Sequence, residues 1–148
     1  IAAPGDFIGV QAYTGAAIGP DHDLPPPSGT ELTQMGYAFM PEAVEGAVRL
    51  VAARTKRPIY VTENGVATED DTRRIAYIDG AIRGVQRCIA DGIDLRGYIH
   101  WSLLDNWEWV AGYRPKFGLV AVEPRTFRRI PKPSARFLGK IAKRGGLT

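Results

Sequence analysis

Three short apolar runs, separated by stretches of helical periodicity, constrain this chain more than any other feature of its sequence. Asp6 to Tyr13 reads as a strand through Phe7, Ile8 and Val10. Pro58 to Thr62 and Leu95 to Trp101 are short strands with continuous apolar centres, the pattern of strands covered on both faces. Between the first two, Pro41 opens a helix where its missing N–H costs nothing, and Ala43, Val44, Ala47, Val48, Leu50 and Val51 carry an apolar stripe to about Arg54. Between the second and third, acids gather from Thr68 to Asp71 at the start of a helix that continues through Ile75, Ile78, Ile82, Val85 and Ile89 until Gly92 stops it. Phe117 to Val122 is predicted as a further strand and Pro133 to Lys143 as a closing helix. The alternation predicts an α/β fold of βαβ units, with parallel strands and flanking helices. Ala16 to Thr33, with Pro20, Pro25-Pro26-Pro27, Ser28 and Gly29, cannot be regular structure, and a loop that long in a compact domain is functional or disordered.

Composition narrows the class. With 148 residues, 45% hydrophobic and 24% charged, the chain fits one ordinary globular domain on length alone. No run of about 20 apolar residues occurs, which excludes a helical membrane span, and Cys88 has no second cysteine to pair with. The opening Ile1-Ala2-Ala3-Pro4-Gly5-Asp6 shows no basic region leading into an apolar one, so no signal peptide and a cytoplasmic location are expected. The net charge of +3 hides an asymmetry: Arg125 to Arg144 holds eight basic residues and no acid, leaving 11 bases against 16 acids elsewhere. A nucleic-acid partner would use that segment as its phosphate footprint. Interleaving with Phe127, Ile130, Phe137, Leu138 and Ile141 favours a helix that packs one face and solvates the other, so no nucleic acid and no membrane are expected as partners.

In parallel sheets, ligands bind at the C-terminal ends of strands. That places Tyr13, Glu63 and the segment Trp101 to Trp109 together. Glu63 in Thr62-Glu63-Asn64-Gly65 can be a reactive carboxylate on a rigid element, or a turn carboxylate satisfied locally. The third segment decides between these. Trp101, Trp107 and Trp109 with Asp105 and Glu108 make a poor core but a good sugar site, since a sugar stacks its C–H face on an aromatic ring while its hydroxyls donate to acceptors.

At these residues the sequence closely resembles the family 1 glycoside hydrolases, the β-glucosidase group of (β/α)8 barrels. Thr62-Glu63-Asn64-Gly65 is similar to the motif bearing the family's nucleophile, and Trp101-Ser102-Leu103-Leu104-Asp105-Asn106-Trp107-Glu108-Trp109 to the motif of its last strand. Asp6-Phe7-Ile8-Gly9-Val10 resembles the sixth strand, and Met35-Gly36-Tyr37 with Pro41-Glu42 the approach to the sixth helix. Phe117-Gly118-Leu119-Val120 and Pro131-Lys132-Pro133-Ser134-Ala135-Arg136 resemble the C-terminal stretch. The resemblance implies that residues 1–148 are the C-terminal three βα units of a single TIM-barrel catalytic domain, incomplete on its own. It implies retaining hydrolysis of β-glycosides through a covalent glycosyl-enzyme, with Glu63 as nucleophile and Tyr13 hydrogen-bonded to it. Trp101 would be a stacking platform, Glu108 and Trp109 would bind hydroxyls, and Phe117 would line the subsite. Gln11, where the family usually has Asn, joins the substrate-binding set. No metal or organic cofactor is called for.

A retaining glycosidase needs a second carboxyl about 5–5.5 Å from the first. The family carries it in an Asn-Glu-Pro motif on its fourth strand, and that motif does not occur in this sequence. The acid/base is therefore expected on a complementary N-terminal segment, and three strands with two open edges are expected to pair with that segment or to self-associate. The other reading is a sugar-binding or structural fragment without turnover. Glu42, Glu45, Asp71 and Asp79 are expected as surface or capping carboxylates, Asp105 as a structural hydrogen-bonding group, His100 as a satisfied packing histidine facing away from Trp101, His22 as a solvent group and Cys88 as a buried thiol.

Overall fold

The computed structural model describes residues 5–147; the expectation about a leader rests largely on residues outside that range. Three parallel strands, β1 (Ile8–Gln11), β2 (Ile59–Asn64) and β3 (Leu95–His100), form one sheet in the order β1-β2-β3. Helix α1 (Ala43–Ala52) links the first pair and α2 (Asp71–Ala90) the second, as the alternation predicts. Among the described residues β1 and β3 each pair within this sheet on one side only, so the sheet does not close into a barrel.

The helices cover one face. Val10, Ile59, Val61 and Leu95 point into a core completed by Val44 and Val48 of α1 and by Ala81, Val85 and Cys88 of α2. Burying each large aliphatic side chain there contributes about 1.5–3 kcal/mol relative to leaving it in water. The N-cap of α2 is Asp70, whose carboxylate accepts from the Thr72 N–H over 2.8 Å. After α2, Gly92 takes φ +81°, a conformation open to glycine, and the chain turns into β3.

The C-terminal part departs from expectation. β4 (Val120–Val122) does not extend the parallel sheet; it pairs antiparallel with an unanticipated strand β5 (Arg129–Pro131) and makes one parallel bridge to Leu104. Phe127 and Ile130 therefore lie on or beside a hairpin rather than on the closing helix, and both are exposed. Helix α3 (Pro133–Arg144) starts with Pro133, ends at left-handed Gly145 and buries Ile141 against Ile78, Ile82 and Leu119, with Phe137 and Leu138 alongside. Its basic residues Arg136, Lys140, Lys143 and Arg144 stay in solvent, as the interleaved pattern predicts. β1 is shorter than the predicted Asp6 to Tyr13, although its pairing reaches Ala12, whose N–H donates to the Glu63 carbonyl over 3.1 Å. The proline-rich segment is irregular but organised, with isolated bridges Ile18 to Asp23 and Leu32 to Ala38.

Candidate active site

The register of the sheet aims Glu63. Val10 pairs with Val61, but the next residue, Gln11, pairs with Glu63, so Thr62 is an extra residue in β2. A bulge of this kind re-aims the side chain after it. Glu63 consequently meets Gln11 and Tyr13, while Asn64 turns to the helix side and is fully buried.

Gln11 Nε2 donates to Glu63 Oε1 over 2.9 Å, and the Tyr13 hydroxyl donates to Oε2 over 2.6 Å. Each carboxylate oxygen thus accepts from one neutral donor, and hydrogen bonds to an ionised acceptor are the stronger kind. Burial, then the hydrogen bond to Glu63 and the charges of Glu63 and Glu108, push the Tyr13 phenol far above its ordinary value. Tyr13 is a donor, not a base. Phe117, 3% exposed, packs T-shaped on Tyr13 with ring centroids 5.9 Å apart.

The aromatic segment follows β3. Trp101 Nε1 donates to Glu108 Oε1 over 3.2 Å, which joins the expected stacking platform to the expected hydroxyl acceptor. Trp107 packs against Tyr113, and Trp109, on a short 3-10 turn (Trp109–Ala111), is 80% exposed. Gln11 and Tyr13 thus both contact Glu63, Phe117 packs on Tyr13, and the charge of Glu108 is felt at Tyr13. Trp109 has no hydrogen bond to that cluster among the described residues.

Polar ties bind the three strand-end loops. Gln34 donates its N–H to the Ala67 carbonyl over 3.0 Å and accepts the Lys116 N–H at its side chain over 2.8 Å. Arg74, fully buried on α2, donates to the carbonyls of Thr68 and Lys116 and pairs with Asp71. Asp105 Oδ1 accepts from the Gly118 N–H over 2.8 Å and from Lys132 Nζ over 3.0 Å, the structural role expected of it. Gly65 has no room for a side chain, since a Cβ there would lie 1.9 Å from the Trp101 carbonyl oxygen. Beside the cluster a groove of about 620 Å³ runs along the proline-rich loop, lined by Thr14, Leu24, Pro25, Pro26, Tyr37 and Met40 among others.

One expectation is sharpened and one corrected. Asp71 is a capping carboxylate, of α3 rather than of its own helix: it accepts from the Ser134 N–H over 2.8 Å and hydroxyl over 2.7 Å, bonds that together with Arg74 outweigh burial and hold its carboxyl low. His100 is poorly satisfied: both ring nitrogens are buried without a well-formed hydrogen bond among the described residues, and the Phe117 backbone compensates only weakly. Burial, then the nearby Arg74 charge, lowers its pKa to about 3. Glu45 pairs with Arg49 and Arg87, Asp79 pairs with Arg83, Glu42 and His22 are exposed, and Cys88 is buried.

Sequence reasoning missed Asn64, Tyr77, Tyr98 and Arg74. Their signal was a polar group on the core-facing stripe of a helix or at a buried strand end, where it must find a partner.

Comparison with known proteins settles the lineage. The sequence profile of the family described as Glycosyl hydrolase family 1 matches residues 6–147. The chain belongs to glycosyl hydrolase family 1. A 1,4-beta-D-glucan glucohydrolase of Thermotoga neapolitana is 35% identical, over 97% of this chain and 36% of the relative. A beta-galactosidase of Saccharolobus solfataricus is 34% identical, over 97% of this chain and 32% of the relative. The solved apo structure of a beta-glucosidase 1317 is 66% identical, superposes with a TM-score of 0.96, and matches 99% of this chain and 36% of its own. The chain spans about a third of the length of the relatives it matches. Like its family 1 neighbours it has the TIM-barrel kind of fold, here as parallel strands with flanking helices and no closed barrel. No helix among the described residues is long and apolar enough to cross a membrane.

Proposed function

We propose that this chain is the C-terminal part of a retaining β-glycosidase domain and supplies its nucleophile. The observation that carries the reading is the Glu63 carboxylate at a strand end, each oxygen held by a neutral donor that cannot take its place as base. One Glu63 oxygen attacks the anomeric carbon of a β-glycoside as the leaving oxygen departs, forming a glycosyl ester. Water, giving its proton to the carboxylate left when the acid protonated the leaving oxygen, then attacks the same carbon and releases Glu63. Gln11 and Tyr13 fix the carboxylate so that the attacking oxygen points at the sugar, and such positioning accounts for much of the rate of an enclosed displacement. Trp101 and Phe117 form the apolar walls, with Glu108 and Trp109 set to meet hydroxyls. The groove along the proline-rich loop adjoins the site and suits the leaving group.

The acid that protonates the leaving oxygen belongs, in this reading, to a complementary N-terminal segment with an Asn-Glu-Pro motif, which also covers the open edges of β1 and β3. Names among the relatives include both glucosidases and galactosidases, so the sugar class proposed is a β-gluco- or β-galactoside.

The test is chemical rescue in the completed barrel. Glu63→Ala should abolish hydrolysis of an aryl β-glucoside with a good leaving group, and added azide should restore turnover to give the α-glycosyl azide. A β-glycosyl azide, or full activity of Glu63→Ala, would assign the nucleophile elsewhere.

A further inference from the structure

Tyr13 has an unusual problem of placement. The pairing of β1 ends at Ala12, so Tyr13 lies one residue past the last rung of the sheet while its hydroxyl must meet Glu63 at 2.6 Å. Its backbone is caught from the other side of the sheet. Tyr77, on the core face of α2 and fully buried, donates its hydroxyl to the Tyr13 carbonyl over 2.7 Å. The same hydroxyl accepts from Asn64 Nδ2 over 3.2 Å. Asn64 Nδ2 also donates to the Ala12 carbonyl over 2.6 Å, and Asn64 Oδ1 accepts from the Tyr98 hydroxyl over 2.7 Å. One buried amide, adjacent in sequence to Glu63, thus joins the end of β1, the end of β2 and the body of β3 to α2.

We propose that Tyr77 is a positioning residue for catalysis, holding the Tyr13 hydroxyl against Glu63 from the helix side of the sheet. The proposal rests on Glu63 being the nucleophile. The bonds run in one direction, from the Tyr98 hydroxyl to Asn64, from Asn64 to Tyr77, and from Tyr77 to Tyr13. Both amide hydrogens of Asn64 are used, so its orientation is determined by its partners rather than free. The Tyr77 ring is held independently, T-shaped on Phe39 with centroids 5.5 Å apart, so removing only the hydroxyl leaves the packing in place. Without it, the Tyr13 carbonyl loses its donor from Tyr77 and the segment carrying the Tyr13 ring gains freedom. Misplacement of a positioned group by a fraction of an ångström lowers reactivity while leaving ground-state sugar contacts nearly intact.

A double-mutant cycle in the completed barrel tests this. Its readouts are the rate constant and the binding constant for covalent labelling by a 2-deoxy-2-fluoro-β-glucoside with a dinitrophenolate leaving group. Labelled chains are counted by mass spectrometry, so misfolded protein does not enter the rate. Tyr77→Phe should slow labelling about five- to tenfold, the effect of one neutral hydrogen bond, with the binding constant within about twofold. In the Tyr13→Phe background the same change should cost less than about twofold, because the hydroxyl it positions is already gone. An equal loss in both backgrounds, or a loss confined to binding, would overturn the proposal. If Tyr77→Phe does not accumulate folded, the cycle is run with Tyr98→Phe, which loosens Asn64 from one bond further out and should show the same non-additivity. Absence of a Glu63 label in the unsubstituted protein would remove the nucleophile itself, and the proposal with it.

Discussion

The Tyr13 hydroxyl donates to Glu63 Oε2 over 2.6 Å, the shorter of the two hydrogen bonds that the carboxylate receives from β1 and the residues just after it. A hydrogen bond to a charged partner contributes about 1.5–3 kcal/mol. Tyr13→Phe in the completed barrel should therefore lower kcat/KM for an aryl β-glucoside roughly 10- to 150-fold. Steady-state kinetics would check this, and a change below threefold would show that the bond does not orient the reacting carboxylate.

Asp105 and Lys132 form a largely buried pair, with side-chain exposures of 11% and 16%, and Lys132 Nζ also donates to the Gly118 carbonyl over 2.7 Å. Removing one partner of such a pair leaves the other charged and unpaired, at about 3–5 kcal/mol. Asp105→Ala also strips the acceptor from the Gly118 N–H, next to Phe117. Urea unfolding should show a loss of about 3 kcal/mol or more, and a loss below 1 kcal/mol would mean that the pair does not brace the loop after β3.

His100 makes stability fall with acid. Its folded pKa of about 3 lies below the ordinary histidine value of 6.5, so between those values the unfolded chain binds a proton that the folded one does not. Stability from this group is whole above pH 6.5 and declines as pH drops toward 3, by about 1.4 kcal/mol per pH unit in the steep part. Denaturation midpoints from pH 7 to pH 4 should therefore vary less in His100→Gln than in the unsubstituted protein. Parallel curves for the two proteins would contradict the assignment.

The open sheet edges should govern how the chain behaves in solution. Phe7 and Ile99 are 51% and 57% exposed, and Ile8 and Leu50 line a shallow groove beside β1. Unpaired edges with exposed apolar side chains invite pairing. Expressed alone, the chain should self-associate, and co-expression with a complementary N-terminal segment should give a discrete complex. Light scattering that returned a folded monomer of 16.2 kDa would argue against incomplete edges.

Much of this was legible in the residues. Strong periodicity placed β1 to β3 and all three helices, because Val10, Val44, Val61 and Ile78 lie where strand and helix periods require apolar side chains. That Gln11, Tyr13 and Glu63 would come together was legible from their place at strand ends. Side-chain aim was not. The Thr62 bulge, which sets Glu63 opposite Gln11, arises from pairing between strands distant in sequence, and period-two reading passes over it. Gln11, expected to meet substrate, donates to Glu63 itself. β5 was hidden because Arg129-Ile130-Pro131 is short and exposed, with little apolar signal. His100 appeared as an ordinary packing residue, since nothing local announces that Arg74 lies near it and that its nitrogens lack well-formed hydrogen bonds. For Asn64 and Tyr77 the residues announce only that a buried polar group needs a partner; which partner is set by contacts among four elements.

The most direct measurement is peptide mapping of the completed barrel after reaction with a 2-deoxy-2-fluoro-β-glucoside. The expected result is one fluoroglucosyl group per chain, carried on Glu63 in the peptide spanning Val61 to Gly65, and none in Glu63→Gln. A label on another carboxylate, or turnover with no covalent adduct, would contradict it.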